Sequence, residues 1–256
     1  LGQAIDANGL YFDDDHGSHS GLVLQGDVSL PGFVYILVTR DIAISGSLEV
    51  NSGDIGAYVH TLRGNIAIAP RTAIIARGTL DLATAMPTST IDVGGQLALT
   101  LSGINVEIGI GSAGTLHVGP GQTYRVSGSG SANVRLKGEN GLQIDPGQTF
   151  TGTNRSGFYL TAGSDLTVTN LTCKTGYIIF RASGSAAHPG PRKITIRDSK
   201  LTESYRHGNL KILAESPALG SVLLDHTTIV TVAAYGGVIN PPAQCVGSTA
   251  PTWACE

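Results

Sequence analysis

The sequence predicts an all-β protein whose short strands stack in successive coils, the arrangement of a β-solenoid. Three observations favour this fold: helical periodicity is nearly absent, 35 of the 256 residues are glycine, and short apolar segments recur along most of the chain. Only 14 % of the residues are charged and 5 % are aromatic, which excludes coiled coils and charge-rich disordered chains. The net charge of −3 gives no overall attraction to nucleic acid, which we therefore do not expect as a partner.

The first half of the chain repeats a segment in which glycine precedes two aliphatic residues spaced two apart. On a β-strand this spacing places both aliphatic side chains on one face, so each segment predicts a strand with one buried side. The pairs are Leu48 and Val50, Ile66 and Ile68, Leu80 and Leu82, Leu97 and Leu99, and Leu116 and Val118.

A longer repeat predicts that these strands stack. Residues 116–124 align with residues 142–150 at an offset of 26, and residues 66–74 form a looser third copy. Each copy contains an apolar strand, a turn with proline and a second strand. Because such a unit cannot bury its apolar side alone, we expect neighbouring copies to cover each other.

The second half of the chain has longer coils, in which an apolar strand recurs every 28 residues and a polar turn follows it. The strand residues are Leu166, Ile194 and Val222, and the turn residues are Asn170, Asp198 and His226. The same pattern adds the pairs at 142 and 144, 166 and 168, 194 and 196, and 222 and 224 to the five pairs above. We expect all nine pairs to share one continuous core.

This cadence, extending over residues 40–235, resembles that of right-handed parallel β-helix proteins, a class that includes secreted polysaccharide lyases and phage tail-spikes. The resemblance implies a single-stranded right-handed parallel β-helix with capping or connecting termini. A β-sandwich or jelly roll is the alternative architecture. Its usual hairpin signal, Asn-Gly, occurs only at Asn8 and Asn140, so the equal 28-residue offsets favour the solenoid.

The composition divides the chain into three parts. Residues 1–20 are polar and acidic and are expected to form an arm or cap, residues 21–235 the solenoid, and residues 236–256 a proline-containing tail. Cys245 and Cys255 lie 10 residues apart in this tail, where a disulfide would fix its shape. Free thiols, or a bond from either residue to Cys173, are the alternatives.

A dense polar cluster near the N-terminus is a candidate metal site. It contains Asp13, Asp14, Asp15, His16 and His19. Carboxylates are ligands for Ca²⁺, the one cofactor we consider, and carboxylates with imidazoles suit a transition metal. The spacing matches neither an EF-hand loop nor a zincin, so a solvated acidic turn is the alternative.

A second cluster, Arg206, His207 and Lys211, lies close to Glu203 and Tyr205. The resemblance to β-helix lyases implies that one of these basic side chains would act as the catalytic base and abstract the proton from the carbon next to a uronate carboxyl group. A basic stripe would then hold the acidic glycan, formed by Arg181, Arg192, Lys193, Arg197 and Lys200. The alternative is an ordinary solvated turn, and the chain contains no complete catalytic motif.

The sequence therefore predicts an extracellular structural protein that assembles with itself, as a fibre, surface layer, adhesin or virion component. Low charge, few aromatic residues and the absence of a catalytic motif favour this role. The tail is the expected contact between copies, through Trp253, Val238 and Ile239. The alternative is a β-helix enzyme or spike that binds or degrades polysaccharide. No apolar run approaches the roughly 18 residues of a membrane span, so we expect none.

Overall fold

The computed structural model describes residues 3–6, 9–13, 21–51, 56–127, 130–184, 189–205, 209–215, 220–231 and 237–255. Every regular element in these ranges is a β-strand, and parallel strands stack into a solenoid of about eight turns. The predicted all-β solenoid is thereby confirmed. Strands are numbered in chain order.

The first face of the solenoid is an 11-stranded sheet, sheet A, whose strands neighbour each other in chain order. The first two strands pair antiparallel, and every later pair in this sheet is parallel. The strands are β1 (Gln3–Asp6), β2 (Gly9–Asp13), β4 (Phe33–Val38), β6 (Gly56–Thr61), β9 (Thr79–Thr84), β12 (Val106–Ser112), β15 (Ala132–Gly138), β18 (Ser156–Ala162), β21 (Tyr177–Ala182), β24 (Leu210–Ala214) and β27 (Val238–Asn240).

Two further faces complete each coil, the paired strands along each of them are parallel, and the strands of the second face are divided between two hydrogen-bonded sheets. The second face contains β7 (Ile66–Ile68), β10 (Thr90–Val93), β13 (Thr115–Val118), β16 (Gly141–Ile144), β19 (Leu166–Thr169), β22 (Lys193–Arg197), β25 (Ser221–Asp225) and β28 (Ala243–Val246). The third face contains β8 (Ala73–Ala76), β11 (Ala98–Ser102), β14 (Thr123–Ser127), β17 (Thr149–Thr151), β20 (Thr172–Thr175), β23 (Lys200–Glu203) and β26 (Thr228–Thr231).

Two long strands serve both of these faces near the N-terminal end. β3 (Leu22–Pro31) and β5 (Ile42–Asn51) pair over their whole length, and β5 then pairs with β7 through its first half and with β8 through its second half. Both strands turn the corner at a glycine with positive φ, Gly26 at 82° and Gly46 at 91°. A Cβ at residue 46 would lie 2.6 Å from the carbonyl oxygen of Gly26, so this close approach requires glycine.

The core runs through the centre of the coils, because inward side chains alternate with outward ones and stack on the equivalent residue of the next coil. All nine predicted aliphatic pairs are buried, at 8 % exposure or less. One column of the third face is Ile74, Leu99, Tyr124, Phe150, Cys173, Leu201 and Ile229. Burial of each such side chain stabilises the fold by about 1.5–3 kcal/mol.

The predicted offsets are confirmed by the register. Leu116 lies opposite Leu142, and Leu166 lies opposite Ile194. The glycine-led segments are not equivalent positions, however. Residue 48 lies on the third face, residue 66 on the second and residue 80 on the first, which explains their irregular spacing.

The corner between the second and third faces has the same backbone conformation in every coil. Each time the described chain passes this corner, one residue has a positive φ: Gly26, Gly46, Arg71, Gln96, Gly121, Gly147, Asn170, Asp198, His226 and Gly247. Asn170, Asp198 and His226 are the polar turns that the 28-residue repeat predicts. Their backbone N–H groups donate to carbonyl oxygens of the following coil, which offsets part of the cost of this conformation.

Polar side chains just after this corner point inward and bind backbone groups of the preceding coil and of their own corner. Gln122 accepts a hydrogen bond from the N–H of Leu97 at 2.7 Å and donates to the carbonyls of Gly94 and Gly119. Ser199 accepts one from the N–H of Leu171 in the same way. These buried side chains satisfy backbone groups that the parallel ladders leave unpaired at the corner.

Residues of the expected tail continue the ladders at the C-terminal end. β27 pairs with β24, and β28 pairs with β25. The predicted disulfide joins Cys245 to Cys255, and Cys173 is a buried free thiol. Past β28 the chain returns over the last coil, where Ala243 bridges to Cys255.

The residues expected to connect copies lie in this last coil and its return. Trp253 is partly buried, packs on the core and lies against Gly237. Ile239 is buried at 9 % exposure, whereas Val238 is 48 % exposed. A contact between copies through these residues stays a prediction, and Val238 is the member of the set most open to make it.

Candidate functional site

Among the tyrosines whose burial the structure describes, most of the half-buried ones lie on the outward surface of sheet A, which we call the aromatic face. In-register pairing places one column of residues across successive strands: Tyr35, Tyr58, Asp81, Gly109, Arg135 and Tyr159. Tyr11 on β2 occupies the register position before Tyr35. The strands therefore bring together residues that are far apart in the sequence.

A first aromatic platform lies on β4 and β6. The ring centroid of Tyr58 is 6.1 Å from that of Phe33, 6.5 Å from that of Tyr35 and 6.1 Å from that of His60. The imidazole Nε2 of His60 lies 2.9 Å from a carboxylate oxygen of Asp81. All of these side chains are half-buried, so their rings are held by neighbours and still reach solvent.

A cleft opens beside this platform. It has a volume of about 190 Å³ and is lined by Tyr35, Leu37, His60 and Thr61 together with residues 83–85. Apolar walls with a few polar groups are typical of small-ligand sites.

A second platform lies four strands further along sheet A. The guanidinium carbon of Arg135 lies 4.4 Å from the ring centroid of Tyr159, and its Nε donates to Glu107 at 2.8 Å. Partial burial raises the pKa of the Tyr159 hydroxyl, Arg135 lowers it and Glu107 raises it, so the net pKa lies above 10.0. Tyr177 and Tyr205 stack next to this platform, with ring centroids 5.2 Å apart.

Glycines keep the tyrosine rings close to the sheet. A Cβ at residue 56 would lie 2.7 Å from a ring carbon of Tyr58, and a Cβ at residue 157 would lie 2.7 Å from the hydroxyl of Tyr159. Each ring therefore lies back along its own strand, over the glycine two residues earlier. At Gly111, on the same face, a Cβ would have no atom within 4 Å.

The outward side of the second face carries a histidine between two carboxylates. His117 Nδ1 lies 2.7 Å from Asp92, and Nε2 lies 3.1 Å from Asp145. Partial burial lowers the pKa of His117, but the hydrogen bonds and charges of both aspartates raise it more, so the net pKa is above 6.5. Only the imidazolium donates from both nitrogens, so the protonated form links three successive coils.

The predicted metal cluster falls mostly outside the described residues. Asp13 ends strand β2, whereas Asp14, Asp15, His16 and His19 lie outside the described ranges. Within those ranges, no group of three or more His, Cys, Asp or Glu residues could hold a metal ion. Ca²⁺ binding by the N-terminal cluster stays a prediction.

The predicted catalytic cluster is described only in part. Lys211 is exposed on β24 of sheet A, and Arg206 and His207 lie outside the described residues. Glu203 is fully buried and accepts a hydrogen bond from the N–H of Tyr205. Burial raises the pKa of its carboxyl group, and that hydrogen bond lowers it by less.

The predicted basic stripe is not a continuous surface. Arg181 lies on the first face, where it pairs with Glu215 at 3.4 Å. Arg197 lies on the second face and pairs with Asp225 at 3.2 Å. The stripe is divided because consecutive strands of one coil belong to different faces.

The aromatic face itself was missed by reasoning from sequence, although two signals point to it. Gly-x-Tyr occurs at residues 9–11, 56–58 and 157–159, and the tyrosines at 58 and 159 alternate with apolar neighbours. Comparison with known proteins adds no assignment, since no family model, curated protein or solved structure matches the chain. In the described ranges, no helix is long and apolar enough to cross a membrane.

Proposed function

We propose that this protein binds polysaccharide along the aromatic face. The observation that carries the proposal is the position of Tyr58 and Tyr159, whose rings lie over glycines of a parallel sheet. Rings held in this way present an apolar surface with a polar hydroxyl at one end, which suits the C–H face and hydroxyl groups of a sugar.

The spacing of the two platforms supports an extended ligand. Tyr58 on β6 and Tyr159 on β18 are four strand spacings apart, about 19 Å at about 4.8 Å per strand. Between them a cleft of about 330 Å³ is lined by polar groups that include Thr79, Glu107 and Asn133. A short oligosaccharide, rather than a single sugar, would reach both platforms and this cleft.

Alanine at the supporting glycines tests the proposal without removing a ring. Gly56→Ala and Gly157→Ala should each displace one tyrosine and weaken binding about threefold to tenfold, the worth of one aromatic contact. Gly111→Ala is the matched control, because it adds the same methyl group to the same face where nothing lies within 4 Å. Affinity is measured by isothermal titration calorimetry against a panel of soluble polysaccharides. Unchanged binding in both ring-displacing variants would overturn the proposal.

A second role, assembly with other copies, is supported by the outer edge of β3. In the part of the chain that the structure describes, no strand pairs with this edge over its 10 residues. Leu22 and Leu24 point inward but are only partly buried, and Val23 is 66 % exposed. Unpaired edges with apolar residues favour association with another strand, here one from a second copy.

A charge on this edge tests assembly. Val23→Lys should shift the protein toward monomer in analytical ultracentrifugation, because a lysine on an edge opposes strand pairing. Ile104→Lys, at a 67 % exposed isoleucine between β11 and β12 in the middle of the solenoid, is the matched control. A wild-type protein that is monomeric at all concentrations would contradict this role.

The disulfide supports an extracellular location, or one on a virion or cell surface, because such bonds persist in oxidising surroundings.

A further inference from the structure

We infer that the polysaccharide bound by the aromatic face is electrically neutral, an inference that rests on the function proposed above. It concerns the surface between the two platforms, formed by the outward side chains of β4, β6, β9, β12, β15 and β18. Apart from His60, these strands carry four outward charged residues: Asp81, Glu107, Arg135 and Lys137. Two are acidic and two are basic, and Glu139 directly after β15 adds a third carboxylate, so the surface has no excess of positive charge.

Each cation of this surface is already matched with a carboxylate. Arg135 donates to Glu107 at 2.8 Å, and Lys137 donates to Glu139 at 2.7 Å. The carboxylate of Asp81 is held by His60 at 2.9 Å. A uronate polymer would have to compete with these internal carboxylates for every cation, whereas a neutral glycan exchanges only hydroxyl hydrogen bonds.

The guanidinium of Arg135 is also fixed by Tyr159, over whose ring it lies. With Nε committed to Glu107, its terminal N–H groups are the remaining donors. Hydroxyl oxygens of a sugar that lies beside the Tyr159 ring and its guanidinium can accept from these donors without displacing Glu107. The N–H donors of Arg135 can thus orient a neutral ligand. An acidic ligand finds no positive charge that lacks a carboxylate partner.

The experiment compares neutral polysaccharides (soluble β-glucan, xylan, mannan and dextran) with uronate polymers (polygalacturonate, alginate and hyaluronate). We expect binding to at least one neutral polymer, with affinity changing less than about twofold between about 0.01 and about 0.15 M NaCl. Over that range the screening length falls from about 30 to about 8 Å, so binding to an acidic polymer would weaken strongly.

The double variant Glu107→Gln and Glu139→Gln tests the charge argument directly. It leaves Arg135 and Lys137 without their carboxylate partners and should gain affinity for polygalacturonate of about tenfold. Glu49→Gln combined with Asp225→Asn is the control, because it makes the same change in net charge and leaves Arg77 and Arg197 without their carboxylate partners away from this surface.

Two results overturn the inference and can be told apart. If the wild-type protein prefers uronate polymers, with salt-dependent binding that Gly157→Ala weakens, the inference fails and the aromatic face stands as the binding site. If no polymer binds, or if binding is insensitive to both Gly56→Ala and Gly157→Ala, the proposed function fails and the inference with it.

Discussion

Replacing Gln122 by leucine should destabilise the solenoid at one corner by more than the same substitution at Gln148, the equivalent residue of the next coil. Both glutamines are fully buried just after a corner residue with positive φ, and they belong to adjacent coils. Leucine has a similar volume, so the Gln122→Leu variant changes hydrogen bonding more than packing.

The expected magnitude follows from the groups that lose a partner. The buried N–H of Leu97 has Gln122 as its acceptor, and an unpaired buried N–H costs about 1–3 kcal/mol. The carbonyl of Gly94 loses a donor at 2.6 Å, for about 1 kcal/mol more. The carbonyl of Gly119 keeps the Nε2 donor of Gln148 at 2.9 Å. The variant should therefore lose about 2–4 kcal/mol of unfolding free energy.

The Gln148→Leu variant is the control. Its Oε1 has no hydrogen-bond partner among the described residues, so leucine removes an unsatisfied atom and leaves no N–H without an acceptor. The carbonyl of Gly119 keeps the donor of Gln122, and the carbonyl of Asp145 loses one donor at 2.7 Å. We expect a loss of about 1 kcal/mol or less. Urea unfolding followed by circular dichroism measures both variants, and hydrogen exchange reports on the Leu97 amide. Equal losses in the two variants, or unchanged protection of that amide in Gln122→Leu, would refute the reasoning.

Three further predictions concern other parts of the fold. The aspartate partners of His117 raise its pKa above 6.5, so the protonated histidine stabilises the fold fully below that pH and the stabilisation is lost as the pH rises through the raised pKa. His117→Gln should therefore lower the urea midpoint more at about pH 6 than at about pH 8. An effect that does not depend on pH would count against this. Leu80→Asp, which buries an unpaired carboxylate, should cost several kcal/mol, whereas the same substitution at Ile104, which is 67 % exposed, should cost about 0.5 kcal/mol or less in the same assay. Alkylation of the unfolded, unreduced protein should label one cysteine by mass spectrometry; three labels would contradict the bond between Cys245 and Cys255.

The fold could be predicted from sequence because stacked coils place their core residues at recurring intervals along the chain. Leu116 and Leu142 share a column, and the 26-residue offset between them is visible without a structure. The polar turns at Asn170 and Asp198 are visible for the same reason, since one corner residue per coil must adopt a positive φ. The strand beginning at Ala243 was missed, because adjacent prolines interrupt the pattern while the inward positions of β28 still alternate.

The candidate site could not be predicted, because it depends on which coils lie side by side. Tyr35 and Tyr58 become neighbours only when the register of β4 and β6 is known. Because the coils differ in length, the register of β4 and β6 cannot be extrapolated from the sequence repeats alone. The low aromatic content also argued against a sugar-binding surface, yet the sheet gathers Tyr58, Tyr159 and Tyr177 on one side.

Because equivalent residues of successive coils lie in columns, the distance between the two tyrosine platforms can change during evolution by whole turns. Ile91 and Leu116 occupy equivalent positions in adjacent coils, so a deletion of residues 91–115 would join Thr90 to Leu116 with the core column unbroken. Such an event removes one turn, including β12, and leaves both ends of the molecule as they are. The two tyrosine platforms would then stand about 5 Å closer together. Gain or loss of single turns would in this way select ligands of different length while the tyrosines of both platforms are retained, although this deletion also removes Glu107 from the cleft between them.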